Sequence, residues 1–214
     1  MTKRILSLAL VGLFISCNRA PKTEETVVAE NPYAITCDGI GAVKLSHSHA
    51  QLVEQLGAEK LTDSTYHIGG VDYKATYINL GEADEMIVRW VEQEAPFTNI
   101  KQLLITNPQS PYATENGIRV GTTLNDLRTA NNFMPISMTS FYASIDGYAH
   151  TLGFNGGDLE LNYPCLSFSL DITKQHGVDV AMINEVKTMG EVKSSHAIFG
   201  FLDVEVVGVQ VNAK

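Results

Sequence analysis

The stretch Ala42-Val-Lys-Leu-Ser-His-Ser-His-Ala-Gln-Leu52 aligns with Gly117-Ile-Arg-Val-Gly-Thr-Thr-Leu-Asn-Asp-Leu127 at a constant offset of 75 residues. In both copies a short hydrophobic segment is followed by polar capping residues and then by the first turn of a helix. Ser48 and Gln51 form a capping-box pattern, in which each side chain satisfies a free backbone N–H group of the other residue. The two stretches therefore predict an internal repeat.

Working outward from the repeat, three helices are predicted. The apolar spacing of Leu52, Val53 and Leu56 indicates a helix over 48–57 that ends at Gly57. A second helix is predicted to begin at Thr122 or Thr123 and to end at Asn131-Asn132. A third, over 176–187, has weaker support because Gly177 and two β-branched valines lower its helix propensity.

Strand patterns dominate the rest of the chain. Gly69-Gly70 lies between alternating segments and predicts a hairpin, and further strands are predicted over 86–91 and 100–105. In the second half, Asn155-Gly156-Gly157-Asp158 predicts another hairpin between 149–154 and 159–161, followed by strands over 166–172 and 201–211. The prediction is an α+β fold made of tandem strand–helix–antiparallel-sheet repeats, 34–110 and 111–214, with the helices on one face of a shared sheet.

The stretch from Gly117 to Leu127 resembles the start of a repeat in the β-lactamase-inhibitor-like and small outer-membrane lipoprotein A folds. In those folds a short strand and a Gly-Thr cap lead into a helix and then into a small antiparallel sheet. The resemblance implies the same repeat architecture here. It also implies a protein that acts by binding other proteins at the cell envelope, although fold analogy alone is a weak guide to function.

The N-terminus has the layout of a secretory signal peptide over residues 1–16. Lys3 and Arg4 precede an apolar run from Ile5 to Ile15 that is too short to span a bilayer. Ser16-Cys17 then resembles the lipobox of bacterial lipoproteins, which implies acylation of Cys17 and attachment to a lipid bilayer. The alternative is cleavage elsewhere, for example after Ala20, with Cys17 unmodified.

Residues 17–33 are polar and predict a flexible tether between the anchor and the folded part. The predicted location is the cell envelope, as an outer-membrane lipoprotein that faces either the periplasm or the cell surface. Removal of residues 1–16 changes the formal charge from −9 to −11, since Lys3 and Arg4 are lost. Such an acidic chain is unsuited to binding nucleic acid, which requires a basic surface.

Candidate sites are few. Cys37 and Cys165 could form one disulfide in an oxidising compartment, or could be two separate buried thiols. Tyr73, Tyr77 and Trp90 lie in successive predicted strands and could form an aromatic ligand face for a peptide or a glycan. The alternative, which the apolar neighbours of Trp90 favour, is that these aromatic side chains alternate into the core.

No catalytic residue, metal site or cofactor is predicted. The sequence has no Gly-x-Ser-x-Gly, phosphate-loop, His-Glu-x-x-His or calcium-loop motif. His47 and His49 are two residues apart at a helix start, a spacing that suits a zinc site poorly. The predicted function is a membrane-anchored protein-binding or assembly module. The alternative is a secreted hydrolase or small-ligand carrier whose site is assembled from dispersed residues.

Overall fold

The computed structural model describes residues 31–214, and its elements come in the following order. Strands and helices in the first part are β1 (Ile35–Thr36), β2 (Gly39–Ile40), β3 (Val43–Lys44), α1 (His49–Leu56), β4 (Leu61–Ile68), β5 (Val71–Ile78), β6 (Met86–Trp90) and β7 (Ile100–Ile105). The second part contains α2 (Leu124–Ala130), β8 (Ser137–Met138), β9 (Ala149–Gly153), α3 (Asp158–Asn162), β10 (Leu166–Gln175), α4 (Val180–Lys187), β11 (Val192–Lys193) and β12 (Leu202–Asn212). Short 3₁₀ turns occupy Ala58–Lys60 and Ala197–Gly200.

Nine strands form one antiparallel sheet in the order β11-β8-β9-β10-β12-β7-β6-β5-β4, and β1–β3 form a small separate sheet. The fold is therefore a mixture of helices and strands built mainly on one large antiparallel sheet, as predicted. The last strands of the two predicted repeats, β7 and β12, pair at the centre, where Ile105 lies opposite Val209. One continuous hydrophobic core contains residues from both 34–110 and 111–214.

The helices begin and end where their caps predict. Ser48 caps α1 in a complete capping box with Gln51, and Gly57 ends it with a positive φ of 94°. The Thr123 side chain caps α2, which ends at Asn131. The third predicted helix is present but starts later than expected, because the side chain of Asp179 caps it at Val180.

The predicted second hairpin is wrong. Residues 149–153 form β9, but the segment after the glycines is the helix α3 rather than a strand. Two hydrogen bonds favour the helix: Glu160 Oε2 accepts from the backbone N–H of Gly156, and buried Asn131 Oδ1 accepts from the N–H of Leu159. The turn residues Asn155-Gly156 do adopt positive φ angles, but they lead into a helix start instead of a returning strand.

The two aligned stretches differ in local structure. Val43 and Lys44 form strand β3, whereas neither of the corresponding residues, buried Ile118 and exposed Arg119, belongs to a strand. The chain ahead of α2 is held by a hydrogen bond from the N–H of Gly121 to the carbonyl of Val206. The predicted strand in the second copy is therefore replaced by irregular chain that packs on the core.

Cys37 and Cys165 form a disulfide with a Cα–Cα distance of 5.5 Å. The bond joins the turn between β1 and β2 to the residue before β10. Cys165 is buried and belongs to the main core, and Cys37 packs against it. The small N-terminal sheet is thus covalently attached to the central part of the large one.

The predicted signal peptide, Cys17 with its predicted acylation and most of the predicted tether lie outside the described residues. Within residues 31–214, no helix is long and apolar enough to cross a membrane. In the same range no group of three or more His, Cys, Asp or Glu side chains is arranged to hold a metal ion.

Candidate ligand-binding face of the sheet

The large sheet has two unlike faces. One face packs against the helices through the main core, which includes Leu52 of α1 and Leu127 of α2. The other face carries a small separate cluster of Ala75, Ile87 and Leu104, with Tyr66 and Tyr77 packed against it. No helical residue between 31 and 214 belongs to this second cluster, and we call this side of the sheet the open face.

The three aromatic residues of the predicted ligand face are divided between the two faces. Tyr73 and Tyr77 lie on the open face, two positions either side of Ala75 in β5. Trp90 does not: it is 1% exposed, stacks on Phe97 with a centroid distance of 5.6 Å, and belongs to the main core. Strand alternation explains this correction, because Met86, Val88 and Trp90 share the helix side of β6.

Arg89, the neighbour of Trp90 in β6, lies on the open face instead. Its guanidinium lies 4.0 Å from the centroid of the Tyr73 ring and 5.9 Å from that of Tyr66. Its Nη1 donates to Gln102 Oε1 at 2.7 Å, and the residue is 9% exposed. Cation–π contacts and a neutral amide therefore surround this buried cation.

A continuous chain of side-chain hydrogen bonds starts at Arg89 and crosses the open face. Each inner member accepts from the residue before it and donates to the next, with donor–acceptor distances of 2.7 to 3.1 Å. The members are, in order, Arg89, Gln102, Asn212, Ser167, Gln210, Ser169, His150 and Asp146. The chain thus runs in one direction from a cation to a carboxylate, an alignment in which neighbouring hydrogen bonds strengthen each other.

At its acidic end, the hydrogen-bond chain meets the carboxylate of Asp146. Burial opposes ionisation of Asp146, but hydrogen bonds from Ser144 Oγ, the backbone N–H of Tyr148 and His150 outweigh it and lower the pKa of Asp146. Because the ionised carboxylate only accepts, neutral His150 carries its proton on Nε2, 2.8 Å from Asp146 Oδ2. His150 Nδ1 is then free to accept from the Ser169 hydroxyl at 3.1 Å.

The last three members of this hydrogen-bond chain, Ser169, His150 and Asp146, form the floor of a cavity of about 560 Å³ on the open face. One wall is the tip of the β4–β5 hairpin with Tyr66, and the other is the loop before β9 with Ile145 and Tyr148. Burial raises the pKa of the Tyr66 hydroxyl, and the nearby Asp146 carboxylate and Tyr148 add to this although Arg89 opposes it. Tyr66 is therefore close enough to Asp146 for the carboxylate charge to affect the pKa of its hydroxyl group.

A β-bulge in strand β12 lies next to Ser169 on the cavity floor. In β12, Val206 lies opposite Leu170 and Gly208 lies opposite Ser169, so Val207 is an extra residue in the ladder. A Cβ atom at Gly208 would lie 3.3 Å from Ser169 Cβ and 3.4 Å from its Oγ. The glycine therefore lets β12 pass close to the Ser169 side chain, which is itself buried.

His47 and His49 are not brought together with further metal donors within residues 31–214. His49 Nε2 lies 3.0 Å from Asp63 Oδ1, and its ring packs near Trp90 and Phe97. His47 Nδ1 accepts from the backbone N–H of Lys44, and burial followed by the Lys44 charge lowers the pKa of His47. Both side chains thus support the entry to α1.

Sequence reasoning did not find His150, Ser169 and Asp146 as a group. His150 stands alone in sequence, Ser169 lies in the middle of a strand, and only the antiparallel pairing of β9 with β10 brings them together. One signal was available: the valines of β12 alternate at 204 and 206 but resume at 209 and 211. Such a break of alternation indicates a bulge, and bulges often occur beside functional sites.

No protein-family model matches this chain, and no curated protein matches it. Among solved structures, it is similar to the uncharacterized protein yfeY from Escherichia coli. The two share 10% identity with a TM-score of 0.48, and the alignment covers 84% of this chain and 99% of that chain. A likeness at this level identifies neither a family nor a function.

Proposed function

We propose that this protein is a lipid-anchored lipoprotein of the cell envelope that works as a binding or assembly module, and that its open face contacts a protein partner. The observation that carries the proposal is the composition of that face. Tyr66 and Tyr73 pack against Arg89, Tyr77 packs on the neighbouring Ala75–Ile87–Leu104 cluster, and tyrosine and arginine are among the side chains most enriched at the energetic centres of protein interfaces.

The sheet also supports a tandem origin for this surface. The last strand of the predicted repeat 34–110 is β7, and the last strand of the predicted repeat 111–214 is β12. These two strands pair antiparallel at the centre of the sheet. Two repeats joined in this way make one wide sheet with its helices gathered on the side of the main core. The opposite side is then available to a partner.

Cross-linking in living cells tests the proposed surface. A benzophenone amino acid at position 73 should give a discrete cross-linked product of constant mass. The same amino acid at exposed Glu54, on α1, is the matched control and should not give that product. Equal products at both positions, or none at position 73, would contradict the proposal.

The proposed anchor has a separate test. Intact mass and globomycin sensitivity should reveal acylation of the wild-type chain in a Gram-negative host, and the Cys17→Ala variant should lack both. Several acyl chains bind a bilayer essentially irreversibly, since each buried methylene contributes about 0.8 kcal/mol. A soluble, unacylated wild-type product cleaved at another position would overturn this part of the proposal.

A second candidate function, hydrolysis of an ester or amide, is favoured by the Ser169–His150–Asp146 arrangement in the cavity. A serine hydroxyl on an imidazole that a carboxylate orients is the arrangement of a nucleophilic serine. It ranks second because Gln210 Nε2 already donates to Ser169 Oγ at 2.7 Å and occupies one of its lone pairs. Ser169 is also only 8% exposed.

A fluorophosphonate probe tests this second candidate. A hydrolase should be labelled on Ser169, with labelling lost in Ser169→Ala and retained in Ser64→Ala, whose serine is exposed on β4. Absence of label on the folded wild-type chain would rule out the nucleophilic serine.

A further inference from the structure

The cavity above His150 is separate from the Tyr73–Tyr77–Arg89 patch and has its own chemistry. It lies between two projections from the open face, the Gly69-Gly70 turn and the loop around Tyr148. Its volume of about 560 Å³ falls within the range of small-molecule sites, roughly 300 to 1,000 Å³. The cavity is therefore large enough for a ligand of its own.

The charges around the cavity disfavour an ionic ligand. Neither lysine nor arginine lines it, its two histidines, His67 and His150, are each paired with a carboxylate, and ionised Asp146 repels an anion. Asp146 also has little to offer a cation, because it already accepts from Ser144 Oγ, the N–H of Tyr148 and His150 Nε2. A carboxylate with three hydrogen bonds keeps about one free lone-pair site, which suits a single ligand hydroxyl group.

The walls combine flat apolar surfaces with hydroxyl groups. Tyr66 and Tyr148 both line the cavity, and each side chain combines an aromatic ring with a phenolic hydroxyl that can donate or accept. Thr106 adds another hydroxyl at the rim. At Gly69 and Gly70 a Cβ atom would meet nothing within 4 Å, so the turn backbone is open to a ligand. The cavity thus offers several mixed donor–acceptor groups next to aromatic surface.

We infer that this cavity is a binding site for a neutral carbohydrate ring. A pyranose carries hydroxyl groups that both donate and accept, and it has an apolar C–H face that packs on an aromatic ring. Those two properties match the hydroxyl-rich rim and the two tyrosines, and the ring has no charge for the cavity to balance. This site goes beyond the proposed protein-binding surface, whose residues Tyr66 and Leu104 also line the cavity.

Saturation-transfer NMR and calorimetry on the full chain in detergent micelles test the site. The probes are the methyl glycosides of glucose, galactose, mannose and N-acetylglucosamine, with choline as the cationic probe and inorganic phosphate as the anionic one. At least one glycoside should bind saturably. Tyr148→Ala should weaken it about tenfold, the effect of losing about 1.4 kcal/mol of binding energy.

Two further variants make the result specific. Tyr33→Ala is the matched control, since Tyr33 is 45% exposed and remote from the cavity while Tyr148 is 40% exposed. Tyr148→Phe keeps the ring and should lose less affinity than Tyr148→Ala, which separates stacking from loss of the fold. The inference is overturned if no glycoside binds, if only choline or phosphate binds, or if Tyr33→Ala and Tyr148→Ala have equal effects.

Discussion

Thr76 is a completely buried residue whose single hydroxyl group serves two neighbours. It accepts from Trp90 Nε1 at 2.9 Å and donates to Asp63 Oδ1 at 2.6 Å. Asp63 in turn contacts His49 at the start of α1. One side chain in β5 therefore connects the buried tryptophan of β6, the edge strand β4 and the first helix.

Replacing Thr76 by valine keeps the shape but removes both hydrogen bonds. Trp90 Nε1 would be left buried without a partner, and an unsatisfied buried donor costs about 1–3 kcal/mol. We expect Thr76→Val to lower the free energy of unfolding by that amount in urea titrations. Thr65→Val, at an exposed position of β4, is the control, and equal losses in the two variants would contradict the role of the buried hydroxyl.

Glu92 is a surface residue whose carboxylate, like the Thr76 hydroxyl, contacts more than one neighbour. Hydrogen bonds from the Thr98 hydroxyl first, and then from the side chain and backbone of Asn99, lower the pKa of Glu92 to about 2. Because the folded-state pKa is depressed, the stabilisation is present above the ordinary pKa of 4.5 and is lost as the pH falls through about 2. The loop 92–99 should therefore remain ordered at mildly acidic pH.

The expected result of Thr98→Ala is a return of the pKa of Glu92 toward its ordinary value. Carbon-13 NMR titration of the Glu92 carboxyl group measures this directly. The pKa of Glu92 should not move in Thr65→Ala, because Thr65 lies in β4 and not in the loop 92–99. A wild-type Glu92 that titrates at its ordinary value would show that these hydrogen bonds do not persist in solution.

At the scale of elements, local signals determine helix α1. The Ser48 side chain accepts from the N–H of Gln51, and the Gln51 side chain accepts from the N–H of Ser48. Ser48→Ala should therefore lower the free energy of unfolding by about 1 kcal/mol, measured by thermal or urea denaturation. Ser64→Ala, an exposed serine on β4, should change it by much less; a null effect of Ser48→Ala would mean that tertiary packing alone holds the helix.

Elements with such local signals were predictable from sequence, and elements fixed by distant partners were not. The capping box, the Gly69-Gly70 turn and the cap at Thr123 each act within a few residues, and the structure contains all three features as predicted. Helix α3 was missed because the group that holds its start, Asn131 Oδ1, lies 28 positions earlier in the chain.

The candidate site was less predictable than the fold for the same reason. Tyr73, Tyr77 and Trp90 were grouped as a possible ligand face because they lie in predicted strands, and the apolar neighbours of Trp90 already favoured the burial that β6 gives it. The Ser169–His150–Asp146 group depends on strand pairing and on the bulge at Val207, neither of which a local pattern specifies.

At the scale of the whole molecule, one core and one disulfide unite the two halves. The Cys37–Cys165 bond closes a loop with a sequence separation of 128 residues. In the chain-entropy account such a long loop contributes about 4–5 kcal/mol, since the bond restricts the unfolded chain. Cys37→Ser with Cys165→Ser should lose stability of that order.

Urea unfolding of the double variant, and of the wild type with and without a reducing agent, measures this contribution. The reduced wild type should match the double variant, and the oxidised wild type should unfold at higher urea. Reduction that leaves the unfolding midpoint unchanged would show that the loop closure adds nothing to stability.

The same bond also determines how the molecule responds to mechanical force. Tension applied between the two ends of the folded chain passes along 31–37, across the two sulfur atoms and along 165–214. The 128-residue loop carries no load while the bond is intact, so the open face stays unstretched in its β4–β7 part. Reduction would release about 430 Å of additional extended chain, at roughly 3.4 Å per residue, so the disulfide limits how far tension between the two ends can stretch the protein.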